Sequence, residues 1–165
     1  MSVTAFAPET VLPERNRDFD AVFDGRLFSI LSWTQLETFW NKLDPNAGWF
    51  LYAVGENRPL VPADAPQVEA FLQHIHDLLR REHEEDYCGI VYADDVDNPS
   101  LIKIYDPNNL GSVCGGSGKE RVLPGWIISR MPPSDLTPSH AVPQNRRRWW
   151  QQFTDLFSSG PKMAD

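Results

Sequence analysis

From Asp64 to Asp106 the chain reads DAPQVEAFLQHIHDLLRREHEEDYCGIVYADDVDNPSLIKIYD, and a change of period inside this stretch decides the fold. Its first half repeats at helical spacing: Val68, Phe71, Leu72, Ile75, Leu78 and Leu79 form one apolar stripe. Asp64 suits an N-cap, Pro66 sits in the first turn where a missing N–H costs nothing, and Gln67 completes a capping-box spacing. The spacing therefore predicts a helix through residue 82. After it the period shortens to that of strands, over Tyr87–Ala93 (YCGIVYA) and Leu101–Asp106 (LIKIYD), joined by the turn-rich DDVDNPS.

Upstream, Trp49–Val54 (WFLYAV) reads as a strand entering the core. Leu36, Phe39, Trp40 and Leu43 mark a short helix that Thr34 and Glu37 open with capping-box spacing. Leu27–Trp33 is apolar but too short to assign. Downstream, Trp126–Met131 (WIISRM) is a further strand. Strand, long helix, then three strands with short links make an α+β pattern: a small antiparallel sheet of about four strands with helices packed on one face. The helix stripe is expected to meet Phe50 or Tyr52. Parallel βαβ repetition is absent, which argues against a doubly wound nucleotide fold.

The expected organisation is a loose arm over 1–18, a single α+β domain over 19–131, a Pro-rich linker over 132–144 and a C-terminal amphipathic helix over 145–158. The linker reading rests on four prolines between Pro132 and Pro143. A chain of 165 residues buries enough surface to fold without a metal or disulfide staple. No apolar run is long enough to span a membrane, and the first residues lack the shape of a signal peptide. With two cysteines, this points to the cytoplasm.

Fifteen basic residues against 23 acidic ones give a net charge of −8, the wrong sign for a general nucleic-acid binder. The acids gather between Glu82 and Asp97. Glu84, Glu85, Asp86, Asp94, Asp95 and Asp97 form a candidate acidic patch able to steer a basic partner; a solubility role is the plainer alternative.

The C-terminal helix carries the strongest partner-binding pattern. Trp149, Trp150, Phe153, Leu156 and Phe157 fall within about a 120° arc, led by Arg146, Arg147 and Arg148. Trp and Arg are the types enriched at binding hot spots. Such a face needs a cover: the protein's own body, a groove in another protein or in a second copy, or a membrane surface. Repulsion from the acidic body disfavours the membrane.

Chemistry-bearing motifs are sparse. Asp106–Gly118 places Cys114 among four glycines, giving backbone freedom and access to a thiol. Gly118-Lys119 is followed by Glu120, which breaks the phosphate-loop pattern. His74, His76, His83 and His140 show no zinc-ligand spacing, so no metal site is assigned. The acids of the 94–98 turn lack the central Gly and closing Glu of a calcium loop and read as a hairpin cap. No cofactor is implied. The resulting expectation is a non-enzymatic protein-interaction or accessory protein, acting through the C-terminal helix and the acidic patch. The alternative is a thiol-dependent enzyme or redox sensor using Cys114.

Overall fold

A computed structural model describes residues 14–110, 122–138 and 141–158. The elements in chain order are α1 (Arg17–Phe23), β1 (Phe28–Ile30), α2 (Trp33–Lys42), β2 (Phe50–Ala53), α3 (Ala65–Glu82), β3 (Val91–Ala93), β4 (Leu101–Ile104), β5 (Trp126–Ser129) and α4 (Gln144–Ser158). The five strands form one antiparallel sheet in the order β1-β3-β4-β5-β2. The α+β class holds, with a fifth strand drawn from the unassigned run 27–33.

α3 starts as its sequence dictates. The Asp64 side chain accepts from the Gln67 N–H, and the Gln67 side chain accepts from the Asp64 N–H, both at 2.9 Å. Val68, Phe71, Ile75, Leu78 and Leu79 are fully buried, whereas Leu72 at the stripe's margin is only half-buried. α2 begins two residues earlier than expected. Ser32, not Thr34, is its N-cap and accepts from the Gln35 N–H at 3.0 Å, while Gln35 Oε1 accepts from the Leu31 N–H. Ser32 takes the cap because its hydroxyl reaches the Gln35 N–H, and a start at Trp33 sets that residue on the buried face it shares with Leu36 and Trp40 at i+3 and i+7.

Register determines which residues meet the helices. Leu51 pairs with Ile128 and Ala53 with Trp126; Ile102 and Ile104 lie beside them on β4, and Ala93 and Val91 follow on β3. This face packs with α2, α3 and α4 into one core. Phe50 and Tyr52 have the opposite parity, so it is Leu51 and Ala53, not the aromatic pair, that join the core of the α3 stripe. A slip of one residue in reading a strand exchanges its faces.

The opposite face is covered in part by α1, a helix not expected from the sequence; it begins two residues before the boundary expected between the arm over 1–18 and the domain over 19–131. Asn16 caps it, accepting from the Asp18 and Phe19 N–H groups. Phe19 and Phe23 pack with Tyr52, Leu101 and Ile127. The ammonium of buried Lys103 lies 3.8 Å from the Phe23 ring centroid, a cation–π contact. Helices therefore cover both faces of the sheet, three on one side and one on the other.

The proline-rich segment is bound along part of its length. The Asp135 N–H donates to the Glu14 carbonyl, Ser134 is buried against Asn16, and the Leu136 N–H donates to Tyr52 Oη at 2.9 Å. Gly55 has a φ of +105°, and a Cβ there would collide with the Val142 side chain. Only glycine lets the turn after β2 take this conformation and receive the chain leading into α4.

Candidate functional site

α4 docks on its own domain. Phe153 is buried, and its ring lies 5.6 Å from that of Phe71 on α3. Trp149 packs edge-on against Trp126 of β5 at 5.4 Å and also against Phe71, while Trp150 meets Phe71 from a third side. Phe157 meets Phe153 edge-on at the helix's far end. Of the residues expected to bind a partner, Trp149, Trp150, Phe153 and Phe157 thus contribute to the domain's own core. Leu156 is 59% exposed, and Arg147 and Arg148 face solvent.

Arg146 is the polar anchor of this docking. Its guanidinium is buried and forks in two directions: to Asp106, just after β4, at 2.7 and 2.9 Å, and to Glu82, at the end of α3, at 2.7 and 3.2 Å. Burial works against the Arg146 charge, but the hydrogen bonds it donates to Asp106 and Glu82 outweigh that and raise the pKa. The hydrogen bonds from Arg146 hold Glu82 below the usual carboxylate range, against the opposing effect of burial. Asn108 completes the cluster by donating to Glu82 at 3.1 Å. Every acceptor faces a donor, so the cluster acts as a clasp joining α3, the end of β4 and α4.

Beside the clasp lies a cleft of about 260 Å³, bounded by Trp126, Trp150 and Val142 on its apolar side and by Glu56, Asp106 and Asn108 on its polar side. It is slightly smaller than the roughly 300–1,000 Å³ of small-molecule sites. Its most buried charges, Arg146 and Asp106, are already bonded to each other.

The acidic residues divide into two kinds. Asp94 and Asp95 are spent on the β3–β4 turn: Asp94 accepts from the Ser100 N–H and Oγ and from the Leu101 N–H, and Asp95 accepts from the Asp97 and Asn98 N–H groups. Asp97 lies 3.5 Å from Lys42 and is itself almost fully exposed. Glu84, Glu85 and Asp86 stand in solvent on the link from α3 to β3. Next to them, Tyr87 is 56% exposed, and across the sheet edge Leu31 and Phe28 are 61% and 47% exposed.

The histidines on α3 are structural in their contacts. His76 Nδ1 accepts from the Trp40 indole N–H at 3.2 Å, which leaves its proton on Nε2. His83 Nε2 is 2.9 Å from the Cys88 carbonyl, and His74 lies edge-on to Trp149 and Phe153. The Cys88 thiol is free and buried, and burial pushes its pKa up, the opposite of an activated nucleophile. Cys114 and His140 lie outside the described residues, as does the glycine-rich stretch 111–118. Among the described residues no group of three or more His, Cys, Asp or Glu side chains converges on a metal position. Among them, too, no helix is long and apolar enough to cross a membrane.

Two features of this surface escaped the sequence reading. The clasp joins residues 24 and 40 positions apart along the chain, and no local pattern announces it. The exposed apolar residues of the β1 edge have a fainter signal, the unassigned run 27–33. The chain matches no protein-family model, and no curated protein or solved structure matches it either.

Proposed function

We propose that this chain is a small acidic protein-interaction or accessory protein of the cytoplasm, without catalytic chemistry of its own, that docks a basic partner. The observation that carries the reading is the placement of exposed Phe28, Leu31 and Tyr87 between two groups of acids, Glu84–Asp86 and Asp94–Asp97. Exposed apolar side chains give contact area, and acids around them give attraction and register for a basic surface. The net charge of −8 extends that attraction beyond contact, within a Debye length of about 8–10 Å. A reducing compartment suits the free Cys88 thiol. α4 contributes to this reading as scaffold, because its aromatic face is covered by its own domain.

Affinity purification of the tagged chain at moderate salt, in parallel with a Glu84→Lys/Glu85→Lys/Asp86→Lys variant, tests the reading. These three acids are the appropriate choice, since reversing Asp94 or Asp95 would break the turn they hold. A stoichiometric basic partner recovered by the native chain and several-fold depleted with the variant supports the proposal. Equal recovery by both, or no stoichiometric partner, overturns it.

A further inference from the structure

We infer that the β1 edge accepts an extended segment of a partner protein as a sixth strand, and that this segment is apolar at its centre with Lys or Arg at both ends. The inference rests on the interaction reading above and supplies its binding mode.

The sheet's two edges differ. At the β2 edge, all of Phe50–Ala53 is buried, the Ala63 N–H donates to the Trp49 carbonyl, and Leu136 is hydrogen-bonded to Tyr52. At the β1 edge, Phe28 is exposed and Ser29 half-buried. The backbone pattern shows which groups point outward. The Asp94 N–H donates to the Leu101 carbonyl and the Tyr105 N–H to the Ile90 carbonyl, so Ile90, Tyr92 and Asp94 direct their peptide groups to β4. Val91 and Ala93 therefore face β1, where Ile30 and Phe28 are their partners. By the alternation of a strand, Ser29 turns its N–H and C=O away from the sheet. That residue offers both groups of a hydrogen-bonded pair to an incoming strand, the usual means of strand addition.

The charges flank this position on both sides. The Cys88 N–H donates to the Leu31 carbonyl at 2.7 Å, which sets Tyr87 and Glu84–Asp86 beside the Leu31 end of β1. Phe28 pairs with Ala93, which sets Asp94, Asp95 and Asp97 beside the other end. Cys88 and Asp94 are six residues apart, about 20 Å in extended chain. A segment of about seven to nine residues spans that distance, and its ends would meet acids while its centre meets Phe28 and Leu31. Among the described residues the nearby cations are Arg26, Lys42 against Asp97, Arg80 over the Trp33 ring and Arg81 beside Glu82, four against six acids. A second copy of this chain would bring a further −8 to the same edge, so charge favours a basic segment from another protein.

The test uses a labelled nine-residue peptide with Val-Thr-Val-Thr-Val at its centre and a Lys-Arg pair at each end. A second peptide of the same sequence is N-methylated on alternate central residues, which removes strand-forming N–H groups and keeps every charge. Each is titrated into the full chain by fluorescence anisotropy, and amide shifts are followed by NMR. The expected result is binding of the first peptide, at least tenfold weaker binding of the methylated one, and shifts concentrated on residues 27–31. Equal binding of the two peptides, with both weakened by the Glu84→Lys/Glu85→Lys/Asp86→Lys variant, overturns strand addition while leaving acidic docking in place. Absence of binding, shifts centred elsewhere, or pairing of two copies through β1 overturns the inference. Binding that the charge variant leaves unchanged counts against the interaction reading itself.

Discussion

Arg146 and Asp106, 40 positions apart, are joined by two parallel hydrogen bonds, Nε to Oδ2 at 2.7 Å and Nη2 to Oδ1 at 2.9 Å. The planar fork of a guanidinium matches a carboxylate in this way, and a lysine ammonium does not. Removing the cation leaves Glu82 and Asp106 facing each other across a buried position. Arg146→Met is expected to destabilise the protein by about 3–5 kcal/mol, the cost of breaking a buried pair from one side. Arg146→Lys should recover only part of that loss. Denaturant unfolding measures both, and an Arg146→Met midpoint close to that of the native chain would remove the clasp from the forces that hold α4.

Glu82 gives the clasp a pH dependence of definite sign. Its folded-state pKa is lowered, first by the hydrogen bonds from Arg146, so the carboxylate form favours folding. That contribution is complete above the unfolded value of about 4.3 and is lost as pH falls through the lowered folded value. Thermal midpoints of the native chain should therefore drop more steeply below about pH 4.5 than those of Glu82→Gln, which carries no titrating group there. Parallel pH profiles for the two proteins would show that the ion pair does not contribute to acid sensitivity.

The β1–α2 junction offers a sharper local test. Ser32 supplies the oxygen that satisfies the Gln35 N–H, and Thr34 lies exposed inside the first turn. Ser32→Ala should cost about 1 kcal/mol, the usual loss for an N-cap, whereas Thr34→Ala should stay within about 0.5 kcal/mol. Urea midpoints of the two single variants decide it. The reverse order would return the helix start to Thr34.

Physical range explains which parts of this protein its sequence disclosed. The α3 stripe and its Asp64–Gln67 box were legible because every interaction that starts the helix lies within four residues. The β3–β4 turn was legible for the same reason, since Asp94 and Asp95 bond groups no more than seven residues away. Sheet parity was not: Leu51 and Tyr52 are both apolar, and only pairing with Ile128 and Ile127 on β5 decides which one meets α3. α1 had a readable signal in Asn16 followed by Phe19 and Phe23, four apart, but seven residues are too few to form a recognisable stripe. The amphipathic face of α4 was clear, while its cover was not. Phe71, Trp126 and Asp106 come from three different parts of the chain, and only the folded sheet brings them together.

The cover of α4 yields the last prediction, a contrast within a single helix. Phe153 is buried, with rings of Phe71, Trp150 and Phe157 and the imidazole of His74 around it, whereas Leu156, three residues later, is 59% exposed. Phe153→Ala removes a large ring from a packed site and should cost about 3–5 kcal/mol through lost transfer energy and the cavity left behind. Leu156→Ala opens no cavity and should change stability by no more than about 0.5 kcal/mol. Deleting residues 144–165 should combine the loss of Phe153 with that of Arg146, lower the urea midpoint sharply and expose Phe71 and Trp126, a patch that a dye sensitive to apolar surface would report. A helix held only loosely would give the opposite outcome, with Phe153→Ala and the deletion both unfolding like the native chain. In that case the aromatic face would be available to a partner after all, and the acidic edge would lose its place as the docking surface.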